Sequence, residues 1–398
     1  NCVVGKTAPT QEQLKLWQNV PPTKTLDLGV DGSGSMLGLT GSEESMNTWK
    51  ALLQGVELAA ASEGLNVKTK RVGAGTSTLV SSPLKAADPC FFSGCRGFKP
   101  ITSSLHSFWN KSELSQGQIP IQMVISDLEV NDGDITKLVK AMKPHVEEGA
   151  VIAVLSLQHP FQGKVFNSRA KVIHNGEAKR PIFLLATGPQ KQLHNLMQTV
   201  KNRAALAGVP DTTMNLTYFD DYANGDTLVA KSLGGTGVGG FIPIRLGNTT
   251  YNPSQNTDYQ FARLFDGAES IILSSSSSST RQKWFSNDLG LMQIQAINLP
   301  GFEADLGNTS IDGLAINGSN LKAKINLEPT STALALRASV PRGQLPEPWW
   351  LDWDRSSRDT KSPENQTDGL MLLMTSLSKM MVSPDTTPAV SFCLITRF

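Results

Sequence analysis

Between residues 25 and 205, apolar runs of strand length alternate with amphipathic stretches of helix length, and beyond about residue 206 that alternation stops. Thr25–Val30 reads as a buried strand. Met46, Trp49, Leu53, Val56 and Ala60 then recur at spacings of three and four, which marks one face of a helix. Asn66–Val72, Ile121–Ser126, Val151–Leu157 and Pro181–Ala186 read as further strands, with helices over Ile135–Glu148 and from Gln190 to about Ala205. Such β-α alternation implies a doubly wound, mostly parallel sheet with helices on both faces.

The rest of the chain has another texture. Thr227–Ala230, Phe241–Leu246, Ile271–Leu273, Leu291–Ile297, Leu321–Leu327 and Ala333–Val340 are short, turn-bounded and often alternating. They predict an antiparallel, sandwich-like domain with one helix near 368–382 and a closing strand at Ala389–Thr396. The serine tract Ser274–Ser279 reads as a solvated loop. The expected organisation is an arm over residues 1–24, an α/β domain over 25–205 and a β-rich domain over 206–398. The two apolar chain ends suggest that both domains form one rigid unit.

The 36 basic and 35 acidic side chains nearly cancel, which argues against broad capture of nucleic acid or anionic membrane and leaves room only for a small local basic patch. No run approaches the roughly 20 apolar residues of a membrane-spanning helix. Cys90 and Cys95 enclose Phe-Phe-Ser-Gly in a loop, a spacing that allows a disulfide and with it an extracytoplasmic setting. A zinc site there would need more ligands than His106, the one histidine nearby. Cys2 is a candidate lipid-anchor cysteine of an exported lipoprotein, although Asn1 precedes it. Alternatively, Cys2 and Cys393 are ordinary thiols or pair with each other.

Chemistry concentrates in Leu28-Gly-Val-Asp31-Gly-Ser33-Gly-Ser35-Met36. An apolar strand ends at Asp31, where ligands of open α/β sheets bind. Gly32 and Gly34 permit the tight turning that lets oxygens at 31, 33 and 35 converge. A carboxylate with two hydroxyls suits a hard cation. Ser126-Asp127 supplies a second carboxylate at the same sheet edge. The plainer reading of Asp31-x-Ser-x-Ser is a capped helix start.

These residues resemble the metal-ion-dependent adhesion site of von Willebrand factor A domains. That family's pattern is Asp-x-Ser-x-Ser after the first strand, a Thr on a middle loop and an Asp after a later strand. Asp31, Ser33 and Ser35 match the first element and Asp127 the last. Thr102, in Gly97-Phe-Lys-Pro-Ile-Thr102, is taken for the middle one, with Thr76 as runner-up. Leu128 departs from the glycine that many relatives carry there. The resemblance covers roughly residues 25–205. It implies a Mg²⁺ site (or Mn²⁺ or Ca²⁺) held by Asp31, Ser33, Ser35, Thr102 and Asp127, and a non-enzymatic protein that grips a partner's Asp or Glu. Alternatives are a metal-independent subunit of an envelope or secretion assembly, and a metal-dependent phosphoesterase. The last lacks a His or Lys cluster in the motif loops.

Other motifs carry less. Gly235-Thr-Gly237-Val-Gly-Gly240 precedes a proline-containing strand rather than a helix, so it reads as a turn. Gly5-Lys6-Thr7 lacks the upstream glycine of a phosphate loop. Asp127–Asp134 fails the calcium-loop spacing, and Glu129 and Asp132 read as a solvated turn or an acidic rim. The five histidines form no spaced pair. Trp349-Trp350-Leu-Asp-Trp353 reads as a segment plugging a domain interface, or else an exposed aromatic platform. The six Asn-x-Ser/Thr sequons decide little in a chain so rich in those residues.

Overall fold

Leu26, Leu28 and Val30 share the first strand, β1 (Thr25–Asp31), with Asp27, Gly29 and Asp31, and all six are buried. A strand buried on both faces needs cover on both. The structure, a computed structural model, describes residues 20–109, 119–130, 132–167 and 169–219. Further on it describes 232–241, 244–246, 249–251, 260–265, 269–276, 285–286, 292–296, 307–317, 320–327, 333–340, 347–355, 364–381 and 390–397. The chain divides into two compact units. One comprises Gln11–Asp221 with Trp349–Met381; the other comprises Asn1–Thr10, Tyr222–Pro348 and Val382–Phe398.

The first unit is α/β. Its strands are β1, β2 (Asn66–Gly73), β3 (Thr76–Val80), β4 (Ile121–Ser126), β5 (Val151–Phe166), β6 (Val172–Gly188) and β7 (Met214–Tyr218), in the order β3-β2-β1-β4-β6-β5-β7. Helix α1 (Glu43–Ser62) starts at a capping box in which Ser42 and Ser45 satisfy each other's backbone N–H, and Glu43 and Glu44 face the positive end of its dipole. It buries Trp49, Leu52, Leu53, Val56, Ala59 and Ala60, and Trp49 Nε1 donates to Ala86 O at 2.9 Å. A four-residue turn, α2 (Cys90–Ser93), sits inside the Cys90–Cys95 disulfide. Helices α3 (Asp132–Glu147) and α4 (Gln190–Leu206) follow, and α4 packs on α1.

Two expectations change. The sheet is mixed rather than mostly parallel: β1 pairs parallel with β2 and β4, whereas β2–β3, β4–β6, β5–β6 and β5–β7 are antiparallel. Parallel neighbours need a crossover of about a dozen residues or more, usually a helix. The residues between Leu157 and Pro181 instead prolong both strands into one hairpin. Second, the helix expected near 368–382 forms as Leu370–Met380 but belongs to this α/β unit, packing against α3. The tryptophan segment joins it as a short helix (Pro348–Trp353). Trp350 is fully buried and stacks on Phe219, and Trp349 Nε1 donates to Thr217 Oγ1 at 3.2 Å, so the tryptophans pack on the sheet and are no exposed platform.

The other unit is β-rich. It contains a five-stranded sheet of β14 (Phe285–Ser286), β16 (Ser310–Asn317), β17 (Asn320–Asn326), β13 (Ser270–Ser276) and β8 (Ser232–Gly234). A second five-stranded sheet joins β15 (Gln293–Ala296), β18 (Ala333–Val340), the closing strand Val390–Arg397, β12 (Gln260–Leu264) and β9 (Val238–Phe241); β10 (Ile244–Leu246) and β11 (Thr249–Tyr251) form a hairpin. All these pairings are antiparallel except β12 with the closing strand. The serine tract expected as a loop begins as strand, with Ser274, Ser275 and Ser276 paired to Lys322, Leu321 and Asn320. Thr227–Ala230, Cys2 and the side chain of Cys393 lie outside the described residues. No helix among the described residues is long and apolar enough to cross a membrane.

Candidate metal centre

β1 and β4 run parallel and in register, Val30 beside Ile125, so their last residues emerge together at one sheet edge. This places Asp31 against Ser126 and Asp127. Asp31 is fully buried, and both of its carboxylate oxygens have donors. Oδ1 accepts the Ser33 N–H at 2.9 Å, and Oδ2 accepts the hydroxyls of Ser103 at 2.8 Å and Ser126 at 2.7 Å. The hydroxyls of Ser33 and Ser35 lie 3.0 Å apart. Burial, chiefly, and then the charge of Asp127 raise the Asp31 carboxyl above its ordinary range, against the pull of these hydrogen bonds.

Gly32 has a steric reason to be glycine. A Cβ there would lie 2.5 Å from Arg71 Nε and 2.8 Å from Ile101 Cδ1. The buried Arg71 guanidinium donates to Gly32 O at 3.2 Å and to Phe91 O at 2.7 Å. It also lies over the Phe91 and Phe98 rings, 5.4 and 5.2 Å from their centroids. The disulfide loop thereby holds the arginine that holds the Asp31 loop.

On the middle loop the neighbour of the expected residue reaches the centre. Thr102 is exposed, and its carbonyl accepts the Ala74 N–H at 2.8 Å; the Ser103 hydroxyl bonds Asp31. Thr76 bonds Gly73 O at 3.0 Å where β3 begins.

Asp127 is buried, and its Oδ1 accepts the Glu129 N–H at 3.2 Å. Leu128 between them has φ +54°, a left-handed conformation uncommon for a non-glycine residue. Glu129, read from sequence as a rim or solvated turn, is buried in an ion network. Its Oε1 accepts from Arg180 at 2.8 Å and Arg355 at 2.7 Å. Arg180 also stands 3.8 Å from Asp127 Oδ2, and Arg355 Nε donates to Asp368 Oδ1 at 2.6 Å. Thr367 Oγ1 donates to Asp127 O at 3.1 Å. Burial pushes Glu129 up to about 7 despite the two guanidiniums. Ser103, Arg71, Arg180 and Arg355 escaped the sequence reading because each lies far along the chain from the residues it supports. The side chain of Asp132 is outside the described residues.

Among the described residues no group of three or more His, Cys, Asp or Glu side chains is placed to hold a metal ion. A cation here would draw on two carboxylates, Asp31 and Asp127, and on the hydroxyls of Ser33, Ser35 and Ser103. That all-oxygen set suits Mg²⁺ or Mn²⁺ and not zinc or copper. Two buried carboxylates, one raising the other, are also an arrangement that a cation relieves. Comparison with protein-family models, with curated proteins and with solved structures finds no match for this chain.

Proposed function

We propose that this chain is a non-enzymatic binding protein that takes a divalent cation, Mg²⁺ or Mn²⁺, between Asp31, Asp127, Ser33, Ser35 and Ser103, and through it engages an Asp or Glu of a protein partner. The observation that carries the reading is the set of serine hydroxyls gathered round the buried Asp31, with Asp127 close enough to raise its pKa. Neutral donors outnumber carboxylates, so a bound cation supplies residual positive charge for a partner's carboxylate. Asp31 and Asp127 fix the position, and the loop turned at Gly32 presents the serines. The Cys90–Cys95 disulfide supports an oxidising, extracytoplasmic setting.

A second reading, a metal-independent assembly subunit, is favoured by one observation: both Asp31 oxygens already have protein donors. Calorimetry with Mg²⁺ and Mn²⁺ separates the two. Because Asp31 is fully buried rather than on a free loop, Asp31→Asn is a milder probe than Asp31→Ala. Binding by the wild type that is lost in Asp31→Asn and weakened in Ser103→Ala supports the cation reading. A wild type that binds neither ion leaves the assembly subunit.

A further inference from the structure

The β5–β6 hairpin outruns the sheet. β7 pairs with β5 at Ala153–Leu157 and β4 pairs with β6 at Phe183–Thr187. Beyond those residues the hairpin continues from Gln158 paired with Pro181 to Phe166 paired with Val172, as a two-stranded ribbon that no other strand flanks among the described residues. Side chains of a strand alternate between faces, and here the two faces differ sharply. One carries His159, Phe161 and Val165, all buried, with Arg180. It lies on the short helix Gly34–Thr40 that follows the serine loop, where a Cβ on Gly38 would collide with the Phe161 ring. The ribbon is therefore seated on the candidate centre's own loop.

The opposite face is open and basic. Lys164 and Lys179 project from it, and Arg169 and Lys171 from its turn, all exposed, against one acidic residue, Glu177. Among the described residues none of these four cations forms an ion pair. Near the tip the exposed Val172 pairs with the half-buried Phe166. Lysines on an open ribbon do deter edge-to-edge pairing. That role asks only for scattered charge and does not explain a net surplus of one sign on one face in a chain whose charges otherwise cancel.

We propose that this outer ribbon face is a docking surface for an acidic segment of the protein partner, flanking the carboxylate that the cation centre accepts. The inference rests on the binding reading above for the partner's chemistry. Charge complementarity is its warrant: a partner that offers one carboxylate to the centre meets, on the ribbon seated against the same loop, a field that attracts further ones.

The test uses the full chain and a fluorescein-labelled deca-glutamate peptide, read by fluorescence anisotropy in Mg²⁺ and in EDTA. Wild type is compared with K164E/R169E/K171E/K179E, with circular dichroism confirming its fold. A milder K164Q/R169Q/K171Q/K179Q variant stands in if the reversal does not fold. The reversal should weaken binding by about tenfold or more, and salt should weaken the wild type in parallel. Equal affinity of wild type and variant overturns the proposal. Tighter binding of a ten-nucleotide single-stranded DNA than of the peptide overturns the acidic-protein occupant. Peptide binding lost in EDTA but unchanged in the variant refutes the ribbon and leaves the cation reading standing. Binding weakened in the variant but indifferent to EDTA does the reverse.

Discussion

Arg71→Met tests whether the Asp31 loop is held from the disulfide loop. The side chain donates to two buried carbonyls, Phe91 O at 2.7 Å and Gly32 O at 3.2 Å, and its guanidinium covers two phenylalanine rings. Methionine fills much of the same volume without a donor. Each buried carbonyl stranded in this way costs about 1–3 kcal/mol. Removing the guanidinium from each ring face costs a further 0.5–1 kcal/mol, roughly. Apolar burial by the methionine returns about 1–2 kcal/mol, which leaves a net loss centred on about 4 kcal/mol within a span of about 1–7. Arg71→Lys keeps the charge and stem but cannot fork to both carbonyls, so about half of that loss should remain. Urea unfolding followed by tryptophan fluorescence reads the change, since Trp49, Trp109 and Trp350 are buried in this unit. A Met variant within about 0.5 kcal/mol of wild type, the range of an ordinary surface substitution, would refute the reasoning. The same holds for a Lys variant no better than Met.

Two further outcomes follow from buried charge. Arg355→Met strips both Glu129 and Asp368 of a partner, and should destabilise by about 3–5 kcal/mol in the same unfolding assay, far more than Glu129→Gln, which removes the charge instead of stranding it. His159 is fully buried, and burial lowers it to about 4 while its Nδ1 lies 2.6 Å from Pro160 O. The unfolded chain takes up that proton near 6.5. Stability from this group is therefore complete above pH 6.5 and declines by about 3 kcal/mol as pH falls to 4. The difference in unfolding free energy between wild type and His159→Phe should change over that window, and a flat difference would contradict the assignment.

The helices were legible because burial follows their period: Trp49, Leu53 and Val56 recur as one face and the structure buries them. Strand direction was not. Val151–Leu157 (but for Ser156) and Pro181–Ala186 are continuously apolar because both faces of these stretches are covered. Such runs read the same whichever way the neighbour points. The usable signal lay between them, where Pro160, Gly163 and Gly176 disfavour a crossover helix. The helix Leu370–Met380 was found by composition, yet its return to the α/β unit depends on Arg355, itself bonded to Asp368, meeting Glu129, and on Thr367 meeting Asp127, both across more than half the chain. No local pattern encodes that pairing.

At the candidate centre the same division has an electrostatic cause. Asp31, Ser33 and Ser35 are close in sequence because one glycine-turned loop can present them together, so a local motif reveals them. Their compensation cannot be local. Four carboxylates, those of Asp31, Asp127, Glu129 and Asp368, are buried in this region, and the buried cations are Arg71, Arg180 and Arg355. An uncompensated buried carboxylate is destabilising by several kcal/mol or takes up a proton. The cations must therefore come from whichever strands and segments pass nearby: β2, β6 and the stretch before the last helix of this unit. With every group ionised the cluster carries one net negative charge, which agrees with both Asp31 and Glu129 being shifted toward their protonated forms. The buried arginines thus support the acidic loop without cancelling it, and a remaining negative charge beside Ser33, Ser35 and Ser103 is the condition under which a cation would be drawn to these serines.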